Sequence, residues 1–572
     1  MSETLHDTDL MHQSQRLNRL RYNLDFGVFG LIVAAFVSIA AQRLGTVPFP
    51  EGDEAFTLQV PYEMLHGGKL ALPMLRYLGG NIENSWHSFI PVYFMILSGF
   101  HKLFGFGLVQ GRAFNLATAV LTLLMVYLIG RRLFDWRAAL IAVVMLVGDQ
   151  TFLERSRLLR DDYAAAAFAM LAFYLYEIAA ARRNTRFYVA SGLAAGAGVM
   201  CHTNILYMIG AISLLILVRE GRRALSSRDL YLFLSSAIVV MAYEIVYDIA
   251  DWKNFLLQNR GDEVHFRILE YTGWLQNLLE ERLRYQKWYA GGVLFPGTPQ
   301  VTLHIFQALT LAAIIYLIVI LARKIKRGSL SRDPRLRLLI VTAVVVLFHA
   351  LIVSHKRIYY MAHLAPWFAL AVGVMLSDGL SWLGKLRKAQ WPYAKPVYCA
   401  AVAVVVLAVA GYEFELARQT NYYVAKVLDP RLARFDEFAT VLRSVVPDEL
   451  CPVAVQNPSV WLVFPDKDRC FATIEPRMQN ELNLDGKDYV LIRRAKKDLD
   501  APERRDGPYH LLGEMSDTLY GNLLIYYTGK DPRFLSLAPK TYQFFGEERG
   551  YTTTVANSQP LIKSNDSTRG PR

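Results

Sequence analysis

Three acidic residues, Glu51, Asp53 and Glu54, stand together in PFPEGDEAF, directly after the first long apolar run of the chain. Adjacent carboxylates point in different directions on any regular element. One of Asp53 and Glu54 can therefore act as a base at a reaction centre while the other is held by a cation or by backbone donors. The same residues would also make an acidic helix start, with Asp53 as cap, Glu54 in the first turn and an amphipathic stretch from Phe56 to Leu65 along an interface.

The cations that could meet an anionic substrate lie far away in sequence. SHKRIYYMAHLAPWFAL carries His355, Lys356, Arg357, Tyr359, Tyr360, His363 and Pro366 at the entry to an apolar run. Lys356 and Arg357 could bind a phosphate, with the two tyrosines and His355 contacting sugar or lipid or sitting in an interfacial aromatic belt. Arg112, in GRAFNLATAV, could clamp a phosphate bidentately or snorkel to lipid headgroups. In ERSRLLRDDYAAAAF, Asp162 could cap the helix that follows or hold a cation at a membrane face, with Asp161 beside it. His87 and His202 read on their own as an interface histidine and an imidazole that can be neutral near pH 7.

These residues must be positioned by membrane helices. The chain has 572 residues, 53% of them hydrophobic and only 20% charged, with a mean hydropathy of +0.22. Apolar runs near 24–44, 113–130, 138–153, 162–180, 187–203, 204–219, 230–248, 301–322, 337–353, 358–377 and 397–413 are separated by short Arg- and Lys-rich loops. The expected fold is a polytopic α-helical membrane protein with eleven transmembrane crossings, or thirteen if the run from Phe89 to Phe106 forms two thin spans instead of a re-entrant or interfacial helix.

Basic clusters at 131–137, 182–186, 219–228, 323–337 and 385–395 then share the cytoplasmic face. This orientation gives a cytoplasmic segment 1–23, a membrane domain 24–413 with outer loops 46–112 and 249–300, and an extracytoplasmic mixed α/β domain 414–572. The tail contains strand-like runs at Val453–Val455, Trp461–Phe464 and Tyr489–Ile492. The cluster around Lys356 falls on the carboxylate side, against the positive-inside trend, and is the sharpest functional signal in the sequence.

The excess of 62 Lys and Arg over 50 Asp and Glu reads as topology, because the basic residues are dispersed between apolar runs and form no nucleic-acid-binding surface. Four cysteines have no metal-binding spacing, although Cys451 and Cys470 could pair in an oxidising compartment. The aromatics Trp252, Trp274 and Trp288 suit interfacial anchoring or sugar contact.

These segments resemble the membrane-embedded glycosyltransferases of GT-C architecture, in the branch of protein O-mannosyltransferases and lipid A aminoarabinose transferases. The resemblance covers about residues 24–378. It implies Asp53 as catalytic base within the acidic motif after the first helix. NSWHSFIPVYFMILSGFHKLFG contains His87 and Pro91 without the family's usual His-Pro-Pro. Arg160 and Asp162 match an Arg-x-Asp motif, with Asp161 in place of a proline. In GLAAGAGVMCHTNILY, His202 stands where many relatives have Lys.

The implied activity is transfer of a sugar from a polyprenyl phosphate-linked donor to an extracytoplasmic glycan, lipid or protein acceptor, in a bacterial inner or plasma membrane. Inversion by a single displacement follows from the resemblance. Lys356, Arg357, Arg112, His87 and His202 are the expected donor phosphate cations, and Glu54, Asp161 and Asp162 are carboxylate supports or ligands of a divalent metal. A transporter or flippase of a lipid-linked saccharide is the alternative, in which the same charges form a binding route.

Overall fold

The computed structural model describes residues 23–258, 271–289, 304–325 and 333–387 apart from a few loop residues, short stretches between 393 and 411, and parts of 435–543. The chain divides into two compact units, one of residues 1–72 and 78–429 and one of residues 73–77 and 430–572.

The first unit is helical, and eight of its described helices are long and apolar enough to cross a bilayer. They include α1 (Asn23–Ala40), α4 (Leu108–Leu133), α7 (Asp162–Arg182), α9 (Leu206–Glu220, prolonged by helical turns at each end), α10 (Arg228–Ala250), α13 (His304–Ile325), α14 (Pro334–Leu351) and α15 (Met361–Arg387). Two further expected spans are shorter helices, α5 (Trp136–Val147, 12 residues) and α8 (Thr185–Val199, 15 residues). The run at 397–413 falls largely outside the described residues. Of the eleven expected crossings, eight are full-length candidates among the described residues, two are these shorter helices, and one lies largely outside the described residues. Small residues explain how the short helices are held: a side chain at Gly192 of α8 would meet the Phe233 carbonyl oxygen of α10 at 2.1 Å, and one at Gly373 of α15 would meet the Ala138 carbonyl oxygen of α5 at 2.3 Å.

The run around Phe89–Phe106 forms one helix, α3 (Pro91–Phe104). At 1.5 Å per residue its 14 residues reach about 21 Å, short of a hydrocarbon core of about 30 Å.

At one end of the bundle the basic loops meet acids, two of them buried. Arg131 pairs with Asp25 at 2.8 Å, Arg337 with Glu177 at 3.3 Å, and Arg335 with Asp378 at 2.6 Å. These pairs join α1, α4, α7, α14 and α15 at the same end, as the arrangement of basic loops on one face requires.

At the opposite end lie α2 (Gly52–His66), the short α6 (Gln150–Arg155), α11 (Trp252–Gln258), α12 (Tyr271–Tyr289) and the segment 352–360. Helix α2 begins with a capping box. Glu51 is its N-cap, and the backbone N–H of Glu51 donates back to Glu54 Oε2 at 3.0 Å. Glu51, and not Asp53, therefore caps this helix, which leaves the Asp53 side chain available for other contacts.

The second unit carries a six-stranded mixed sheet in the order β2-β1-β3-β5-β4-β6. Its strands are β1 (Val453–Val455), β2 (Phe471–Thr473), β3 (Val490–Arg494), β4 (His510–Thr518), β5 (Gly521–Tyr527) and β6 (Lys540–Gln543). β1 pairs in parallel with β2 and β3, while β5 runs antiparallel to β3 and β4. Val490, Leu491 and Ile492 are all buried, so the middle of the sheet is covered on both faces. Helix α16 (Phe435–Val445) buries Phe438, Leu442 and Val445, which share one helical face. The expected strand at Trp461–Phe464 is instead a 3-10 helix over Pro458–Val463. Pro458 has a helical φ and no N–H for a strand ladder. Cys451 and Cys470 lie outside the described residues.

Candidate active site

Glu54 is fully buried and acts as the fastener of the acidic loop. Its Oε1 accepts from Arg112 Nε at 2.8 Å and from the Leu159 N–H at 2.8 Å, and its Oε2 accepts from Arg112 Nη2 at 2.6 Å. Arg112, also fully buried, donates through Nη1 to the Leu44 carbonyl at 2.9 Å. A buried bidentate pair of this kind is costly to break from either side, because the remaining charge has no water. The structure therefore places Arg112 beneath the acidic loop, with its guanidinium turned to Glu54. Glu51 lies beside Arg155, with 3.4 Å between Oε1 and Nη1, and burial raises its carboxyl above the ordinary value.

Asp53, one residue earlier, has a side chain 52% exposed. Its Oδ2 accepts from Arg160 Nη1, while Oδ1 has no hydrogen-bond partner among the described residues. Arg160 donates through Nε to Asp162 Oδ2 at 2.9 Å and lies over the Tyr359 ring, with 3.5 Å from its guanidinium carbon to the ring centroid. One guanidinium thus connects the first acidic loop, the start of α7 and the segment around Lys356. The two carboxylates beside it keep the Arg160 proton bound more tightly than usual, against the cost of burial. Asp161, at the N-cap of α7, is half-buried, and burial pushes its carboxyl up to about 6 against the pull of His202.

Behind Arg160, the Asp162 carboxylate meets two histidines. Asp162 Oδ1 lies 3.4 Å from His363 Nε2 and 3.7 Å from His202 Nε2. All three ligand atoms fall within 4.8 Å of one another, so a buried cluster able to coordinate a divalent metal is present. Apart from their own 3.4 Å contact, Asp162 Oδ1 and the ring nitrogens of His363 have no hydrogen-bond partner among the described residues, which leaves them able to take a cation. His202 is more constrained. Its Nδ1 accepts the Asn204 N–H at 3.1 Å, so the neutral ring carries its proton on Nε2, facing Asp162. His202 can bind a metal through Nε2 only if that backbone hydrogen bond opens. Asp162 and His363 are the two residues that fit a cation without rearrangement.

The other expected cations go elsewhere. Lys356 turns inward, pairing with Glu281 Oε2 at 3.0 Å and donating to the carbonyls of His349 at 2.9 Å and Val353 at 2.7 Å. Burial lowers its ammonium below the ordinary value, and Glu281 opposes that shift. His87 sits between Asp248 (Nδ1 to Oδ1, 2.9 Å) and Asp251 (Nε2 to Oδ2, 3.2 Å), stacked on Tyr247. Tyr360 is buried beneath the Arg284 guanidinium and edge-on to His202. Arg357 is exposed and, with His355, lines a cavity beside α12.

Sequence reasoning left Arg160 and His363 out of the site, although both stand in the segments it singled out. It also missed Glu281, which turns Lys356 away. The violation of the positive-inside trend marked the segment but could not tell an inward lysine from an outward arginine.

The family model of dolichyl-phosphate-mannose-protein mannosyltransferases matches residues 87–247. No curated protein matches the chain in sequence. Among solved structures, ArnT from Cupriavidus metallidurans bound to undecaprenyl phosphate is similar with a TM-score of 0.57 and 15% identity, over 88% of this chain and 98% of that one. The apo state of the same protein gives 0.54 and 14% over the same shares. The oligosaccharyltransferase AglB from Archaeoglobus fulgidus, in complex with an inhibitory peptide and a dolichol-phosphate, gives 0.50 and 14%, over 79% of this chain and 64% of that one. The chain is a polytopic helical membrane protein with the GT-C fold.

Proposed function

We propose that this protein transfers a sugar from a polyprenyl phosphate-linked donor to an acceptor on the extracytoplasmic side of a membrane. The observation that carries the reading is the half-exposed Asp53 carboxylate, fixed by Arg160 at the end of the bundle opposite the basic loops. A donor of this class keeps its long chain in lipid and presents its phosphate and anomeric carbon at the surface. Undecaprenyl phosphate in the ArnT structure and dolichol-phosphate in the AglB structure are ligands of that chemistry. The positive-inside rule puts the basic end in the cytoplasm and the Asp53 end outside.

In the proposed step, Asp53 Oδ1 accepts the proton of an acceptor hydroxyl as its oxygen bonds to the anomeric carbon. The bond from that carbon to the phosphate oxygen breaks, and the pair of electrons leaves with the phosphate, so configuration inverts. Arg160 holds Asp53 in place through its ion pair. Phosphate departure needs positive charge, yet Asp53, Asp161 and Asp162 set three carboxylates against the single Arg160 guanidinium. A divalent cation held by Asp162 and His363 would supply the missing charge and act as a Lewis acid toward the phosphate. His202, next to Asp162, is the second positioning group.

The test is direct. Purified protein is incubated with a panel of polyprenyl phosphate sugars and candidate acceptors, and products are read by mass spectrometry. A new glycosidic bond that disappears in Asp53→Asn supports the reading. Movement of intact donor across proteoliposomes with no bond formed would replace it with transport.

A further inference from the structure

Helix α12 is built inside out for a protein surface in water. Its buried face carries Asn277, Glu281 and Arg284 at 2%, 5% and 0% exposure, whereas Leu275, Leu278 and Leu279 are 54%, 47% and 63% exposed. The polar face is fully engaged: Asn277 Nδ2 donates to the Leu351 carbonyl at 3.0 Å, and Arg284 Nε donates to Glu281 Oε1 at 2.9 Å. Exposed leucines on successive turns of one face cost free energy in water and are stabilised in the acyl region of a bilayer. Charge partners hold the helix to the protein on one side, and the other side presents leucines with the exposed Arg282 among them, the mixed face of a helix at a lipid-water boundary.

The same helix walls a cavity of about 360 Å³ against the segment 354–357. Leu283, 39% exposed, belongs to the apolar face and also lines this cavity, so the leucines and the cavity mouth are continuous. Inside it, Lys287 donates to the Lys356 carbonyl at 3.2 Å. Neither Lys287 nor Arg357 has a carboxylate in ion-pair range among the described residues. Glu280 is the one carboxylate lining the cavity and accepts from Gln276 Nε2 at 2.8 Å. Two cations beside exposed leucines, at the end of the bundle where positive charge is disfavoured, offer an anion site.

We propose that α12 lies in the outer membrane interface with its leucines in lipid, and that the cavity holds the phosphate headgroup of an anionic phospholipid through Lys287 and Arg357. Such a site is suited to presenting a lipid-borne acceptor or to seating the enzyme on an anionic leaflet. It does not depend on which sugar is transferred.

The experiment is native mass spectrometry of the delipidated full-length protein with added phosphatidylglycerol, phosphatidylcholine or undecaprenyl phosphate. Lys287→Gln is expected to lower phosphatidylglycerol retention about fivefold, the loss of one surface cation's attraction for anionic lipid. Lys287→Arg is expected to restore it, and Leu279→Glu to lower it by removing the chain's surface. Phosphatidylcholine should bind weakly throughout, and millimolar inorganic phosphate should fail to displace the lipid. Equal phosphatidylglycerol retention in Lys287→Gln overturns the proposal. Displacement by inorganic phosphate overturns it in favour of a free-phosphate site. Loss of undecaprenyl phosphate alone assigns the cavity to the donor and likewise overturns it, whereas a failure of sugar transfer would leave these lipid measurements unchanged.

Discussion

The Arg160 guanidinium carbon stands 3.5 Å from the centre of the Tyr359 ring, and the same side chain pairs with Asp53. Residues 53 and 359 come from segments separated by almost the whole helical unit, so this contact decides that the acidic loop and the Lys356 segment share one end of the bundle. The functional reading depends on that convergence.

Asp53→Asn should lower transfer by at least about a hundredfold, the smaller contribution of a positioned base, while donor affinity changes little. Turnover and donor binding measured on the same preparation check this. Near-normal turnover would remove Asp53 from the chemistry.

Arg112→Ala should behave as a stability variant. Leaving Glu54 buried and unpaired costs about 3–5 kcal/mol, so thermal unfolding in detergent should shift far below that of the parent. Asp53→Asn, at a half-exposed side chain, should unfold near the parent temperature. Unaltered unfolding of Arg112→Ala would contradict the buried pair.

Much of this organisation was legible in the sequence, but pairing was not. Apolar length and basic loops marked the long helices, and the acidic motif marked the loop that carries Asp53. Glu54 and Arg112 are 58 positions apart, and no local pattern shows that their charges neutralise each other. Lys356 and Arg357 read alike as cations, yet Glu281 on α12 draws one inward and leaves the other exposed. His87 resembled a phosphate ligand because Asp248 and Asp251 lie more than 160 positions away. The short helices α5 and α8 were drawn too long because apolar composition does not reveal where a buried turn begins.

Burial pushes the Glu154 carboxyl from its ordinary 4.5 up to about 7, with Gln150 Nε2 donating to Oε1 at 2.7 Å. The folded state therefore keeps a proton that the unfolded state releases between those two values. Stability from this group is full below pH 4.5 and is lost as pH rises through 7. Glu154→Gln should flatten that slope and be more stable than the parent at pH above about 8, by about 3 kcal/mol. Parallel pH slopes for parent and variant would contradict the buried acid.

Asp162→Asn and His363→Ala should each lose a bound divalent cation, measured as metal per protein after equilibration with manganese or zinc. His202→Ala should retain it, because Asn204 already occupies the His202 Nδ1 lone pair. Loss confined to His202→Ala would reverse the ligand assignment.

Single cysteines in a cysteine-free background test the orientation. A cysteine replacing Arg357 should react with an impermeant maleimide added outside intact cells, and one replacing Lys324 should react only after permeabilisation. The opposite pattern would move the Asp53 end to the cytoplasm.

The capping box and the Glu54 clamp have a further consequence for how substrates are met. Because the turn bearing Asp53 is already anchored through Glu54 to Arg112 of α4 and to the Leu159 backbone, its ordering is complete when the chain folds. Arriving molecules need not assemble the base, so attraction gained along the lipid chain and headgroup remains for aligning the hydroxyl with the anomeric carbon.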